Sequence, residues 1–550
     1  MKRRFLTVLC SLSLSLTPLA FGQNAGTDDP VLSAMKAELA RSKSQLKIEG
    51  MPAPYYIDYR ITDIDGYDAE AAFGSVRSEV RTRIRFVRVV VRVGDYKQDS
   101  FYAQGTGSIE LLTLDNDEQA IRHQLWLATD KAYKDATEAL TAKQTMLKQF
   151  TVEQDVDDFA HAEPVVSIGP LAKLQYDRTP LVHMLKEASG LYRNYPDLQL
   201  CDTTLRFQAI NRYFLTSEGT AVRSGQSVYQ MLVNGSAQAA DGMRLDRNNG
   251  YTVADARELP SEKEFVAYAG KLFDSLKQLR EAPLMEEEYR GPVLFGPDAA
   301  ADIFADFIGE NVLGMKPQLG QPARTRGQFA TSYKNRVLPE FLSVTDDPTV
   351  QMLAGKLLMG YYTVDDEGVK AAKVGVIENG KLENYLTSRE PIRDFPTSNG
   401  HGRARLPINP PGPSLGNLIV SSSEPVSAAQ LKQKLIELCK QHDLPYGYYA
   451  QTLGQGRSPR MLTRIWVKDG HEELVRGAQF GDLDTRSLRS DLIAAGDDVY
   501  VQNRPTNIPH SIVSPSVLFD ELELKRANRN NEKLPEYPAP TPQKTTALAR

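Results

Sequence analysis

The second half of the chain opens with Gly291-Pro292-Val293-Leu294-Phe295-Gly296-Pro297-Asp298. The unbroken apolar residues 292–295 predict a short buried strand. Pro297 and Asp298 are typical of the first turn of a helix, which is expected to run to about Val312. A buried strand that leads directly into a helix indicates a domain in which sheet and helices are mixed.

Hairpin and cap signals follow this segment. Asp366-Glu367-Gly368 and Glu378-Asn379-Gly380 each stand between apolar segments, and Asn-Gly is the strongest short hairpin signal. Ser427 with Gln430 three residues later forms a capping box and predicts the start of a helix. Residues 497–501 and 511–524 are expected to be closing strands.

The first half of the chain alternates with a period of two. Residues 79–89 place arginine between apolar or β-branched residues, which predicts a strand with one wet face and not a nucleic-acid patch. Helices are expected at about 31–48, 118–150 and 262–279. The sequence therefore predicts an α+β fold of antiparallel β-rich sheets with packed helices.

A charged segment separates the two halves. Residues 281–288 carry four glutamates and a proline, a composition typical of a linker. The predicted organisation is a signal peptide, an N-terminal α+β domain, a C-terminal domain and a proline-rich disordered tail. Their predicted ranges are 1–22, 23–283, 284–528 and 529–550.

Composition excludes several classes of protein. The chain has 65 basic and 70 acidic residues, a net charge of -5, which argues against nonspecific nucleic-acid binding. Beyond the N-terminus no stretch of about 18 apolar residues appears, so no membrane span is expected. The chain has three cysteines, of which Cys10 lies in the N-terminal segment that is expected to be removed. Cys201 and Cys439 are predicted to be buried thiols, because two cysteines cannot form a disulfide framework.

The N-terminus has the pattern of a signal peptide. Basic residues 2–4 precede the apolar stretch 5–19, and Ala20 and Gly22 occupy the two positions that a signal peptidase recognises. Cleavage is expected before Gln23. The protein is therefore predicted to be exported, and to be periplasmic or secreted.

Several segments of the second half share their order and spacing with one family. The chain resembles the TldD/PmbA metallopeptidases, the so-called modulators of DNA gyrase, over most of 284–525 and only in outline before that. The segments that carry the resemblance are 291–295, 299–300, 304–314, 338–344, 346–349, 366–369, 377–380, 385–389, 398–403 and 511–519. The resemblance implies a two-domain fold, pairing into dimers, and action on unfolded or small peptides.

The zinc motif of that family is missing from this sequence. The family helix carries His-Glu-x-x-x-His, in which two histidines bind zinc and the glutamate deprotonates the metal-bound water. In register with Gly309 and Gly314, the equivalent positions hold Ala305, Asp306 and Glu310. Alanine has no donor atom, so no zinc and no other cofactor is predicted, and the catalytic residues are unassigned.

Two other groups are candidates for a site. Asp302, Asp306 and Glu310 recur every four residues on the expected helix, and three carboxylates could hold a hard cation. A solvated acidic face is the favoured interpretation of this stripe. The resemblance places the glycine-rich loop of His401 near the family's active cleft, which makes His401 a candidate substrate-binding residue, although a surface-loop histidine is an equal alternative.

Three functions are compatible with these features. The favoured one is an exported peptidase-like protein without zinc-dependent catalysis, which binds peptides or unfolded polypeptide, or supports an active relative. Such a protein would act as a homodimer or in a mixed dimer. The alternatives are an active metallopeptidase with a rearranged site and a structural envelope protein, and the latter has no positive support in the sequence.

Overall fold

The computed structural model describes residues 29–150, 156–321, 323–404, 409–454, 458–527 and 532–540. The predicted signal peptide lies outside these residues, as does most of the predicted tail. Residues 532–540 form neither helix nor strand. None of the helices in the described ranges combines the length and the apolar character needed to cross a membrane.

The N-terminal half of the chain, up to residue 281, forms one seven-stranded sheet. Its strands are β1 (Pro54–Ala72), β2 (Ser75–Val93), β3 (Ser108–Leu111), β4 (Val166–Ile168), β5 (Leu198–Thr216), β6 (Ala221–Gln238) and β7 (Arg244–Val253). They are ordered β3-β2-β1-β5-β6-β4. The remaining strand, β7, also pairs with β6, at residues of β6 that follow those paired with β4. Long antiparallel hairpins dominate the sheet, as the period of two predicts.

Helices cover one face of this sheet. They are α1 (Pro30–Gln45), α2 (Glu118–Leu147), α3 (Arg178–Gly190) and α4 (Glu262–Glu281), with short 3-10 turns at Ala103–Thr106, Leu191–Asn194 and Ala256–Glu258. Odd-numbered β1 residues such as Tyr59, Ile61 and Tyr67 are buried against the helices. Even-numbered residues of β1 therefore lie on the opposite face, which has no helix of its own half.

The C-terminal half, from residue 289, contains two larger sheets. Its strands are β8 (Tyr289–Phe295), β9 (Leu342–Asp346), β10 (Met352–Leu353), β11 (Lys356–Leu357), β12 (Val374–Glu378), β13 (Lys381–Leu382), β14 (Gly402–Arg403), β15 (Gly412–Pro413), β16 (Asn417–Ser422), β17 (Pro425–Val426), β18 (Tyr446–Leu453), β19 (Pro459–Trp466), β20 (Glu472–Val475), β21 (Ala478–Phe480), β22 (Leu492–Gly496), β23 (Tyr500–Arg504), β24 (His510–Ser514) and β25 (Val517–Arg526). The eight-stranded sheet runs β17-β22-β25-β8-β18-β19-β20 with β21 on β25, and the six-stranded sheet runs β13-β12-β9-β16-β24-β23.

One helix joins the core of these two sheets. The helices of this half are α5 (Pro297–Phe307), α6 (Ala428–Gln441) and α7 (Thr485–Ser490), with a 3-10 turn at Gly309–Asn311. The apolar side chains Ile303, Phe304 and Phe307 of α5 lie in the same buried cluster as residues of both sheets. The polar side of α5 is therefore turned away from this core.

Most local predictions are confirmed. The α+β class, the Asn379-Gly380 turn between β12 and β13, and the capping box of Ser427 with Gln430 are all present. Cys201 and Cys439 are buried free thiols. The turn at Asp366–Gly368, however, is flanked by a single bridge and not by paired strands.

Two predictions are wrong. The helix that begins at Pro297 ends at Phe307, about five residues early, and a 3-10 turn follows it. The arginines of residues 79–89 were predicted to be exposed to solvent along one face of the strand. Only the first of them are exposed, since Arg85 and Arg88 are each 3% exposed. The apolar positions change face after Phe86, so Arg88 lies on the face opposite the helices, where its guanidinium donates to the Thr106 carbonyl.

The division at residues 281–288 stays a prediction. The sheet of β1–β7 contains no strand from beyond residue 281. Beyond α4 the chain runs beside Arg476, whose N–H donates to the Pro283 carbonyl at 3.1 Å and whose carbonyl accepts from the Met285 N–H at 2.9 Å. The side chain of Met285 is 1% exposed, so this connection is packed against the C-terminal half.

Candidate functional site

A cleft of about 1140 Å³ lies between the two halves of the chain. One wall is β7, which contributes residues 247–253. The other wall is the polar side of α5, together with residues 352–357 and 500–506. This volume is close to the upper end of the range of ligand-binding clefts. The cleft lies between two separately packed cores, so a buried core lies behind each wall.

The β7 wall is the edge of a sheet. This strand pairs with β6 over its whole length, from Arg244 to Val253, and with no other strand in the described part of the chain. The N–H of Gly250 donates to the side-chain oxygen of Asn249 at 2.8 Å. Since backbone groups of an edge strand alternate in direction, half of those in β7 point away from β6.

The α5 wall presents three carboxylates one turn apart, at Asp298, Asp302 and Asp306. Gln502 Nε2 donates to Asp298 Oδ1 at 2.9 Å and to Asp302 Oδ1 at 3.1 Å. Arg504 Nη2 donates to Asp302 Oδ1 at 2.5 Å. Asp302 is therefore held from two sides by β23.

The protonation of Asp302 is perturbed. Burial raises the pKa of Asp302 to about 6, and the neighbouring charges of Asp298 and Asp306 act in the same direction, against Arg504 and Gln502. The carboxylate is thus mainly ionised at neutral pH and titrates in the mildly acidic range. Perturbed carboxyl groups in a cleft are typical of functional sites.

Guanidinium groups link β7 to the opposite sheet. Arg247 Nη1 donates to Thr452 Oγ1 at 3.0 Å, and Arg460 Nη1 donates to Asn248 Oδ1 at 2.5 Å. Burial, with the charge of Arg460, lowers the pKa of Arg247. The cleft therefore carries both signs of charge, which suits a zwitterionic or polar ligand better than an apolar one.

The three motif-equivalent positions do not converge. Ala305 is 4% exposed and lies in the apolar core, Asp306 is exposed in the cleft, and Glu310 is exposed on the 3-10 turn outside the cleft lining. The predicted stripe of Asp302, Asp306 and Glu310 is wrong at its third member, because α5 has already ended. Among the described residues, no three His, Cys, Asp or Glu side chains are grouped as metal ligands.

His401 is buried and lies outside the cleft. Its side chain is 0% exposed, its Nε2 is 3.1 Å from Asp346 Oδ1, and its Nδ1 is 3.1 Å from Asn399 Oδ1. Asp346 also accepts the backbone N–H groups of Gly416 and Asn417. The surface-loop alternative is wrong, and a direct role of His401 in substrate binding stays a prediction that would require the loop to open.

Several cleft residues carry no motif that could have revealed them. Gln502 and Arg504 belong to a strand predicted only in outline, and Arg247 lies in a segment without a marked pattern. Asp298 was identified as a helix start and not as a cleft residue. The one available signal was that Asp298, Asp302 and Asp306 share a helix face, which holds within the observed limits of α5.

A family profile matches the C-terminal half, and two relatives match parts of the chain. The profile of the PmbA/TldA metallopeptidase C-terminal domain matches residues 288–526. A metalloprotease of Methanocaldococcus jannaschii is 24% identical over 239 residues, which are 42% of this chain and 49% of that protein. A metalloprotease of Archaeoglobus fulgidus is 34% identical over 82 residues, 14% of this chain and 18% of that protein. The chain thus spans about half the length of the first relative and less of the second.

Structural comparisons extend over both halves. A protein from Thermotoga maritima described as a modulator of DNA gyrase has a TM-score of 0.59 at 14% identity, covering 90% of this chain and 99% of its own. TldE from Thermococcus kodakarensis has a TM-score of 0.59 at 12% identity, with 89% and 99% covered. At these identities the likeness establishes the fold alone.

Proposed function

The chain belongs to the TldD/PmbA family, and we propose that it binds extended peptides in the cleft between β7 and α5 without zinc-dependent hydrolysis. The observation that carries this proposal is the free edge of β7 directly opposite a row of carboxylates. An edge strand offers backbone hydrogen bonds to any extended chain, whatever its sequence. That chemistry suits peptides or unfolded polypeptide.

The carboxylates supply a second element of recognition. Asp306 is exposed and Asp302 is partly buried beside it, and both line the cleft. A peptide lying along β7 would bring its terminal ammonium or a basic side chain toward α5. Charge-assisted hydrogen bonds of this kind are about twice as strong as neutral ones.

The donor set does not fit a family-type zinc site. A catalytic zinc needs three protein ligands and one open position, and Ala305 offers only a methyl group that points into the core. Asp306 reaches the cleft, but without a metal it has no bound water to deprotonate. The proposal therefore assigns no hydrolytic step to this helix.

The second candidate is an active peptidase with a rearranged site. It is favoured only by the raised pKa of Asp302, which at about 6 is near the range of a general acid or base. Two measurements separate the candidates. Elemental analysis of the purified protein should give less than stoichiometric zinc, and an unfolded substrate should survive incubation with and without a chelator.

Binding itself is tested with a fluorescein-labelled, unstructured peptide in a polarisation assay. Asp302→Asn combined with Asp306→Asn should weaken binding roughly tenfold or more, because each lost charge-assisted bond is worth about 1.5 kcal/mol or more. Glu340→Gln, an exposed change away from the cleft, is the matched control. Stoichiometric zinc together with cleavage that Asp306→Ala abolishes would show instead that the protein is a working metallopeptidase.

Location and partners are part of the same proposal. We propose that the mature chain begins at Gln23 outside the cytoplasm, as the pattern of residues 2–22 indicates. A homodimer, or a mixed dimer with an active relative, would account for a peptide-binding subunit without its own zinc. N-terminal sequencing of the native protein and its mass in solution test these two points, and an intact Met1 in a cytosolic monomer would contradict both.

A further inference from the structure

Arginines collect on the face of the first sheet that the helices leave uncovered. Arg60 of β1 is directly opposite Arg88 of β2 in the strand register, although like charges in such pairs are destabilising. Arg212 of β5 lies on the same face, opposite Thr62. Arg403 of β14 approaches from the C-terminal half.

These side chains are withdrawn from solvent. The exposed fractions are 7% for Arg60, 3% for Arg88 and 8% for Arg403, while Arg212 is half-buried. A buried guanidinium stays charged, because its proton is held far above neutral pH. Burial and the nearby arginines lower the pKa of Arg88 to about 10 and also lower that of Arg212, so all four remain cationic under physiological conditions.

Two carboxylates face the four cations. Asp366 accepts from Arg403 Nε at 3.2 Å, and its carbonyl accepts from Arg60 Nη2. Asp58 lies two residues before Arg60 on the same face, and burial raises its pKa against the pull of Arg60 and Arg88. These two carboxylates thus carry less charge than the guanidinium groups that they face.

Neighbouring acids do not make up the difference. The side chain of Asp365 accepts backbone N–H groups of Glu367, Val369 and Gly402 at 2.8–2.9 Å. Glu367 Oε2 accepts the backbone N–H of Arg389 at 2.6 Å. Both carboxyl groups are thus engaged by the backbone.

Part of the donor capacity is unused. Arg60 Nε and Nη1 and Arg403 Nη1 are buried and have no acceptor among the residues that the structure describes. The side chain of Arg212 makes no hydrogen bond to any of the same residues. A buried N–H without an acceptor is costly, and buried charges are normally paired.

We propose that Arg60, Arg212 and Arg403 form a binding site for an oxyanion with two negative charges, such as phosphate. The guanidinium fork matches the geometry of an oxyanion, and the oxygens of the ligand would supply the acceptors that Arg60 and Arg403 lack among the described residues. Entry is available through the exposed parts of Arg212 and Asp366. The site is separate from the cleft, and the proposal does not depend on peptide binding there.

The two negative charges could come from a free ion or from an acidic C-terminal residue of a polypeptide, whose side-chain and terminal carboxylates lie close together. Thermal unfolding of the purified protein is followed with 10 mM inorganic phosphate, with sodium chloride at equal ionic strength, and with an acidic peptide whose C-terminus is free or amidated. Phosphate should raise the unfolding midpoint by at least about 2 °C over chloride. A response to the free peptide and not to the amidated one would identify a carried carboxylate as the ligand and would equally support the site.

Variants separate binding from a structural role. Arg60→Gln and Arg212→Gln should abolish the shift, and Arg212→Gln should unfold in chloride at the same temperature as the native protein or higher, because repulsion is relieved. Arg206→Gln, an exposed arginine six residues earlier on the same strand and face, should keep the full shift. No shift with any ligand, or an equal shift in all variants, would overturn the proposal.

Discussion

Arg389 and Glu218 form a bidentate pair across the two halves of the chain, with both N–O distances at 2.8 Å. The guanidinium also lies 4.0 Å above the ring of Phe159 and donates to the carbonyl of Ala160 at 2.9 and 2.7 Å. Arg389 is 1% exposed. One buried side chain of the C-terminal half thus holds both the β5–β6 turn and the segment before β4.

Removing the partner of this arginine should be strongly destabilising. Glu218→Ala leaves a buried charge uncompensated, and breaking a buried pair in this way costs about 3–5 kcal/mol. The midpoint of urea unfolding should fall accordingly. The matched control is Arg324→Ala, since Arg324 Nε and Nη2 both donate to Asp394 Oδ2 in a pair that is more exposed. Its removal should cost about 1 kcal/mol or less, and equal losses in both variants would contradict this account of the pair.

The two thiols should be inert in the native protein. Burial raises the pKa of Cys201 to about 12 and that of Cys439 to about 11, and reactivity follows the thiolate form. A thiol reagent at pH 8 should therefore modify neither cysteine within the time in which a small free thiol reacts completely. Both should react after addition of guanidinium chloride, and rapid modification before unfolding would show that one of the cores opens.

The features that were predicted correctly are those that depend on residues close together in the sequence. The capping box at Ser427, the Asn379-Gly380 turn and the period of two in β1 and β2 depend on neighbours within a few residues. The burial of His401 does not, because its imidazole lies against Asp346, 55 residues earlier in the chain. The role of β7 was equally hidden, since an edge strand is defined by the absence of a neighbour and not by its own sequence.

The early end of α5 changed the candidate site for a similar reason. Its periodic carboxylates extend beyond Phe307 in the sequence, but the chain leaves the α-helix there and Glu310 turns outward. Asp298, which the pattern marked only as a helix start, joins Asp302 and Asp306 in the cleft instead. The acidic character of this cleft wall was thus predicted from the sequence. Which carboxylates belong to the wall depends on where α5 begins and ends.

Peptide affinity should depend on pH through Asp302. Burial raises its pKa to about 6, so the carboxylate that would attract a basic group is lost as the pH falls through 6. Affinity for a peptide with a blocked N-terminus and one lysine, whose charge persists to about pH 9, should be constant from about pH 7 to 9 and decline by about pH 5, and Asp302→Asn should flatten the profile. For stability the sign is opposite, because the folded state binds the proton more tightly than the unfolded state does, so this group costs stability above pH 6 and ceases to do so near pH 4. An unchanged decline in Asp302→Asn would assign the pH dependence to another group.

The edge of β7 offers the sharpest test of peptide binding, through proline substitutions at adjacent positions. The Gly250 N–H bonds the side chain of Asn249, which indicates that it points away from β6, and the N–H of Asn248 two residues earlier should do the same. Asn248→Pro should then remove one donor from the free edge and weaken peptide binding several-fold with little loss of stability. Asn249→Pro should break a bond to β6 and lower the unfolding midpoint. Because Asn248 also accepts from Arg460, Asn248→Ala is the control that removes the side chain and keeps the N–H. Equal binding by Asn248→Pro and Asn248→Ala, measured by polarisation, would show that peptides do not add to this strand.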